Sequence, residues 1–593
     1  MQFAALFLAF SILVPGAAAS ERGVDVVRVG LAFGSSALVG ANLENNTGYG
    51  AGYRFGYYDE DLEFEELGYT DEDVTRISVL KAQNIWFSRN SSGSYVYSNS
   101  DNGGTVIGCF HIQIPDSYRN FSAAVSDAEE LGGFVAWIDG DYQVRYGAYT
   151  SKEDAQAALD ELVEEETLDE DARVVGTSSY AVTVIATGSD TILYQHDGGE
   201  DTPLGVLPDV TGEDEVRTWC MGYKRHGGFR YERVNGGNLT VSNLVEMEDY
   251  IKGVIPYEMS NSWPLEALKA QAVCARSYAS VNIGQGKHKS YHIDVCDTAC
   301  CQVYNGIGSN SSSYQANDRT DEAVEDTAGV YAYYNGSVIS AFYSSSHGGA
   351  SEDVYHVWGS SRETYPYLCG VIDPYEQDTN GINSYSDWTR SYSSGQMLSR
   401  LRDYGYCVDT KLKSIQLTYS DLGNVIRAKL NYTNGESNTL SVSKIKSVFG
   451  LSSIHFTLNG ANADSTESKV EEVAVNKNKV LDLEEELYVI SGSGTVSKAD
   501  KDALYTIGDE GTVSKLELTD AQPDEDTSGD DAGSLAGKTV TVDSSGTYQF
   551  RGAGNGHQLG MSQFGAYAMA ERGFDYDEIV EFYYPGTYVS RNP

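Results

Sequence analysis

Basic residues are scarce in this chain. Its 593 residues include 41 Lys and Arg against 86 Asp and Glu, a formal net charge of −45. Nucleic-acid binding needs basic patches that displace counterions, so that partner class is excluded. Proline is also rare, at 11, and the 62 glycines show no period, which rules out a collagenous or proline-rich stalk. Eight cysteines in so long a chain cannot be the frame of a disulfide-built scaffold. Beyond Val14 no apolar run is long enough to span a bilayer. The length exceeds one ordinary core and implies several domains, or one core with large insertions.

The N-terminus reads AALFLAFSILVPGAAAS, an apolar stretch followed by Pro15, Gly16 and three alanines. This predicts a signal peptide, residues 1–19, although no Lys or Arg precedes the run. No cysteine follows where a lipoprotein would need one, so the mature chain is expected to be secreted, extracytoplasmic and without a membrane span. Much of the acid lies in runs at 59–66, 161–171 and 524–531, which read as solvated faces and linkers. The 43 tyrosines suit either a β-rich protein with half-buried strand positions or a set of platforms for sugar rings.

Along the chain, residues 20–110 alternate apolar and polar between Gly, Asn and Ser turns, a β-rich pattern. Residues 111–187 change character. Helical spacing covers 121–131, a hairpin pattern covers 135–149, a helix capped by Ser151 follows over 151–165, and a strand covers 180–186. A denser region spans 215–460. Residues 461–545 are rich in Ser, Asp, Glu, Lys and Thr and read as an acidic insertion or linker, and order resumes over 546–593. The segment YQVRYGAYTSKEDAQAALDEL, in this order of helix, strands, helix and strand, resembles the SPOR family, whose members bind glycan strands stripped of peptides. An unspecialised α/β module fits the same pattern.

The chemistry gathers around VIPYEMSNSWPLEALKAQAVCARSYA. Spacing predicts a helix over 265–280, begun by Ser262 and Pro264, with Glu258 just ahead of it. Glu258 lies between apolar Ile255 and Met259, and apolar surroundings raise a carboxyl pKa toward the range of a proton donor. A second segment, GAGNGHQLGMSQ, spaces Gly552, Gly554 and Gly556 at alternate positions, where they permit tight turns and close approach to a ligand. Ser344 to Gly349 forms a third, SSSHGG; no nucleophile-elbow motif accompanies these serines, so serine-protease chemistry is rejected.

These stretches, with Cys301-Gln302-Val303-Tyr304-Asn305-Gly306, SAFYSSSHGGASEDVYHVWG and FRGAGNGHQLGMSQFGAYAMAERGFDYDEIVEFYYPGTYV, stand in one order. Together they resemble the stage II sporulation protein D and amidase-enhancer family. The resemblance implies a lytic transglycosylase with Glu258 as its catalytic residue. It also implies substrate-binding roles for Gln271, Arg276, Tyr278, Ser346, Gly349, His557 and Gln563. The family usually carries Trp at the position of Asn555 and Gly at that of Gln558.

Thiols and imidazoles cluster at His288, His292, Cys296, Cys300 and Cys301. Such a set suits tetrahedral zinc. Some family members use two Cys and two His, and here Cys300-Cys301 replaces a His-Cys pair. The resemblance thus implies His288, Cys296, Cys300 and Cys301 around a structural zinc, with His292 as the other candidate fourth ligand. A Cys296–Cys301 disulfide is the competing reading. Neither version makes a metal part of catalysis.

The expected fold is α+β: a β-rich core bearing the helix at 265, a small α/β module upstream, and a C-terminal motif returning to complete the cleft. That return requires the ends of the 461–545 insertion to lie close together. The expected function is cleavage of peptidoglycan glycan strands to 1,6-anhydromuramic ends, on strands already stripped of peptides. The alternative is a non-catalytic enhancer that recruits a cell-wall amidase.

Overall fold

The computed structural model describes residues 26–45, 50–210, 217–309, 315–459, 539–543 and 546–591, together with the backbone of four short strands between 488 and 515. The signal-peptide segment and most of the 461–545 insertion lie outside the described residues. The protein is mixed α+β, and it divides into two compact units: Met1–Ser345 with Gln563–Pro593, and Ser346–Ser562.

The first unit is built on two sheets. One has seven strands, with Val26–Ala32, Thr240–Glu246, Gly228–Glu232 and Leu204–Val210 side by side, all antiparallel. Six of the seven residues of Thr240–Glu246 are buried, as expected of a strand with neighbours on both edges and cover on both faces. The short strand Val295–Cys296 joins the edge of this sheet in parallel with Val26–Ala32. The second sheet has ten strands drawn from residues 40–225. Phe55 of the first sheet stacks on Tyr194 of the second, with ring centroids 4.9 Å apart.

Within the larger sheet, residues 110–175 form a βαββαβ unit. Its strands Phe110–Gln113, Phe134–Ile138, Asp141–Tyr149 and Arg173–Val175 take the order fourth, first, third, second. This is the split βαβ arrangement. Its helices start where the side chains dictate. The Asn120 carboxamide oxygen accepts from the Ala123 N–H at 3.0 Å ahead of Phe121–Leu131, and the Ser151 hydroxyl accepts from the Asp154 N–H at 3.0 Å ahead of Lys152–Glu164. On one sheet face a buried polar ladder runs from His111 through Gln195 to Arg145 and Thr183.

The second unit has its own core, formed by Met397, Leu401, Ile415, Leu417, Leu430, Ile445, Phe449 and Phe550 among others. The helices Ser394–Asp403 and Val442–Phe449 belong to it, with Leu412–Tyr419 flanked by Val425–Tyr432 and Thr539–Asp543. His455–Leu458, the last strand before the insertion, pairs with Thr547–Ala553, the first strand after residue 545. The Asn459 N–H donates to the Gln549 carbonyl at 2.8 Å. The flanks of the insertion are therefore adjacent, as the return of the chain requires.

Candidate functional site

The first unit centres on the helix Leu265–Gln285, which is buried on nearly every side. Its run of Ala267, Ala270, Ala272, Ala275 and Ala279 lets neighbouring elements approach closely, among them the helices Asp318–Asp326, Gln563–Glu571 and Tyr576–Tyr583. Gly286, with φ of 60°, ends it in the left-handed conformation. Ahead of it, Ile255–Glu258 makes one helical turn opened by Pro256, and Met259 leaves in extended conformation. Glu258 thus closes a short turn over buried Val254, Ile255 and Met259.

Burial pushes the Glu258 carboxyl up to about 7, against the opposing pull of hydrogen bonds from Gln563 and Tyr343. The Gln563 amide donates to Glu258 Oε2 at 3.2 Å and to Gln271 Oε1 at 3.3 Å. Gln271 is fully buried, and its own Nε2 meets no acceptor among the described residues. Behind Glu258, the Gln302 amide donates to the Tyr343 hydroxyl at 2.8 Å, and the Tyr250 hydroxyl donates to Gln302 Oε1 at 2.9 Å. The groups bonded to Glu258 are an amide and a phenol, not a second carboxylate. A proton donor titrating near neutrality and held by neutral groups can give a proton and take one back.

Of the residues singled out in the sequence, Glu258, Gln271 and Gln563 come together. Arg276 sits a turn and a half along the same helix, wholly buried, and its guanidinium grips Glu248 at 2.5 and 3.0 Å and the Val330 carbonyl at 3.0 Å. Tyr278 is half-buried with its ring edge-to-face on Phe342.

Ser346, Gly349 and His557 belong to the second unit. There a buried carboxylate, Glu376, organises the SSSHGG turn: it accepts from the Ser346 hydroxyl, the His347 and Gly348 N–H groups at 3.0 and 3.1 Å, and the Ser562 hydroxyl at 3.1 Å. Gly349 is partly exposed, and its carbonyl accepts from the Asp373 N–H at 2.8 Å. The two glycine loops close on each other backbone to backbone. A Cβ at Gly554, where φ is 89°, would lie 2.8 Å from the His347 carbonyl carbon. Gln558 takes φ of 66°, a left-handed conformation that glycine adopts most readily. His557 is partly exposed; its Nδ1 accepts from the Leu559 N–H at 3.1 Å, and its ring lies 5.6 Å from that of Trp358.

Back in the first unit, the donor atoms of His288, Cys296, Cys300 and Cys301 lie within 4.8 Å of one another. The hydrogen bond between Cys296 and Cys301 lowers the Cys296 thiol and raises that of Cys301. His288 Nε2 stands 3.2 Å from Cys301 Sγ. Three sulfurs and one imidazole converging in this way fit a tetrahedral zinc. His292 turns elsewhere, to a hydrogen bond with Glu232. No disulfide joins Cys296, Cys300 or Cys301.

Sequence reasoning singled out neither Gln302 and Tyr343 nor Glu376. Gln302 and Tyr343 stand inside the stretches that carried the resemblance, but no local pattern marks them, because their partners are distant in sequence. Glu376 was one acid among many.

Residues 235–334 match the family model described as stage II sporulation protein. The chain is 34% identical over 340 residues to the amidase enhancer of Bacillus subtilis (strain 168), covering 57% of this chain and 40% of that protein. It is 24% identical over 362 residues to stage II sporulation protein D of the same organism, covering 60% of this chain and 76% of that one. An uncharacterized protein of Brachyspira hyodysenteriae is 27% identical over 371 residues, 62% of this chain and 72% of that one. The chain therefore spans less than half the length of the amidase enhancer that it matches.

Proposed function

Because this chain belongs to the stage II sporulation protein D and amidase-enhancer family, we propose that it is a peptidoglycan lytic transglycosylase with Glu258 as its single acid and base. The observation that carries the reading is the partly buried Glu258 carboxyl, raised to about 7 and bonded to Gln563 and Tyr343. Glycosidases that use water need two carboxyl groups. A transglycosylase needs one. Protonated Glu258 donates its proton to the glycosidic oxygen between MurNAc and GlcNAc, and the C1–O bond breaks. The resulting carboxylate takes the proton from the MurNAc 6-hydroxyl, whose oxygen bonds to C1. The products are a GlcNAc 4-hydroxyl and a 1,6-anhydroMurNAc end; no water is consumed, and Glu258 is protonated again. The buried Gln271 amide oxygen accepts from Gln563 and so helps hold the amide that donates to Glu258.

Three further parts complete the proposal. The βαββαβ unit at 110–175 supports a SPOR-like role in holding peptide-stripped strands, which would raise their local concentration at the cleft. His288, Cys296, Cys300 and Cys301 would hold a structural zinc, a four-ligand set that leaves no position for reacting water. The protein would act outside the cytoplasm, in sporulation-linked remodelling of the wall.

The likeness to a protein named amidase enhancer favours one second reading, a non-catalytic partner of a cell-wall amidase. Incubation with intact and amidase-stripped peptidoglycan, followed by mass spectrometry, separates the two. Anhydromuramic ends from the wild type and none from Glu258→Gln are expected. Binding without such ends, where a control enzyme produces them, would replace the transglycosylase with the enhancer.

A further inference from the structure

We propose that Tyr250, Gln302 and Tyr343 are positioning residues that aim a single hydrogen-bond donor at the Glu258 carboxylate; this rests on the reading of Glu258 as the catalytic acid. The three come from distant parts of the chain: the helix Met247–Lys252, the segment after Cys301, and the strand Tyr343–Ser344.

The direction of each bond is fixed by chemistry. Gln302 Nε2 lies 3.5 Å from the Ala275 carbonyl as well as 2.8 Å from the Tyr343 hydroxyl. A carbonyl only accepts, so this end of Gln302 is the NH₂. The other end is then the oxygen, and it accepts from Tyr250 at 2.9 Å. Tyr343 receives the Gln302 N–H on its oxygen, which leaves its own hydrogen for Glu258. Burial raises the Tyr343 phenol well above its usual range, so it stays protonated and remains a donor.

The relay is held rigidly at its far end. Tyr250 is fully buried and stacked on Tyr304, with ring centroids 5.1 Å apart. Gln302, itself buried, directly follows Cys301 of the thiol and imidazole cluster. Within such a chain each bond polarises the next, so Tyr343 donates more strongly than a lone tyrosine would. The arrangement favours the ionised form of Glu258 and opposes the desolvation that favours the neutral form.

A merely structural network would need the same packing but not the same direction of donation. The test therefore uses Gln302→Glu, which keeps the shape and replaces the NH₂ with an acceptor, beside Tyr343→Phe, which removes one hydroxyl. The ionisation of Glu258 is read from isotope-edited infrared titration of ¹³C-glutamate protein, with the Glu258→Gln spectrum subtracted. Turnover of amidase-stripped glycan is measured in parallel. Tyr343→Phe is expected to move the Glu258 titration upward by about one unit. It should also lower kcat about tenfold while KM stays within about twofold. Gln302→Glu should move the titration further, because both tyrosine hydroxyls then turn to the new carboxylate. Titrations that coincide with wild type in both variants, with kcat unchanged, would overturn the relay and leave the transglycosylase standing. Shifted titrations in a protein whose wild type forms no anhydro ends would uphold the relay and remove the transglycosylase. Should one variant not fold, the other carries the same comparison.

Discussion

The Gln563 amide lies 3.2 Å from the Glu258 carboxylate although 305 positions separate the two in sequence. An amide donor to a carboxylate favours its ionised form by roughly 1.5–3 kcal/mol. Gln563→Leu is therefore expected to raise the apparent pKa of Glu258 and to cost about ten- to a hundredfold in kcat on glycan strands. Steady-state kinetics across pH 5–9 check both effects.

The Glu258 carboxyl also ties stability to pH. Its folded pKa, about 7, exceeds the ordinary value of 4.5, so the native state binds the proton more tightly than the unfolded one. This contribution is fully present below pH 4.5 and is lost as pH rises through 7. The loss is at most about 3 kcal/mol, the product of the shift and 1.36 kcal/mol per unit. Glu258→Gln should accordingly raise Tm relative to wild type at pH 8 and leave it unchanged at pH 4, as thermal melts at both values would show.

The cluster of His288, Cys296, Cys300 and Cys301 predicts about one zinc per chain by elemental analysis, with loss of the metal and a lower Tm on chelation or in Cys301→Ser. His292→Ala, whose imidazole faces Glu232, should keep the metal.

Arg276 makes its hydrogen bonds inside the protein, to Glu248 and the Val330 carbonyl. Arg276 is wholly buried and Glu248 partly exposed, so Arg276→Met, which removes three hydrogen bonds, is expected to cost about 1–3 kcal/mol of stability. Denaturant unfolding measures that cost. A double change with Glu248→Gln should recover part of it, and the KM of protein that remains folded should be little altered.

The second unit depends on its two glycine loops meeting. Gly554→Ala combines a positive φ with a backbone contact at 2.8 Å, and should destabilise that unit by more than about 1 kcal/mol. A melt followed by Trp388 fluorescence would report it, because the Trp388 indole donates to the Gly554 carbonyl at 3.0 Å.

Local patterns were legible in the sequence and long-range ones were not. The helix over 121–131 and the Ser151 cap follow from spacing and a short polar side chain, and both stand where expected. The central helix runs five residues past its expected end at Ser280, to Gln285, because Gly284 is tolerated inside it and Gly286 ends it. The metal-type cluster could be seen because its four members span fourteen positions, His288 to Cys301. Gln302 meets Tyr250 and Tyr343 across 52 and 41 positions, a relation no periodicity encodes. Glu376 was hidden for a different reason. Acidic residues usually face water, and this one is buried because four donors converge on its carboxylate, from Ser346, His347, Gly348 and Ser562, while its own N–H donates to Asp373 Oδ1.

A ribosome makes Glu258 long before it makes Gln563. At about 5–20 residues per second, those 305 positions take roughly 15–60 s to synthesise. Throughout that interval the nascent chain carries a carboxyl group whose amide partner does not yet exist. A chain interrupted anywhere before residue 563 carries the same defect permanently. Synthesis order thus leaves Glu258 without this donor until residue 563 has been made, and the Glu258–Gln563 hydrogen bond can form only after that.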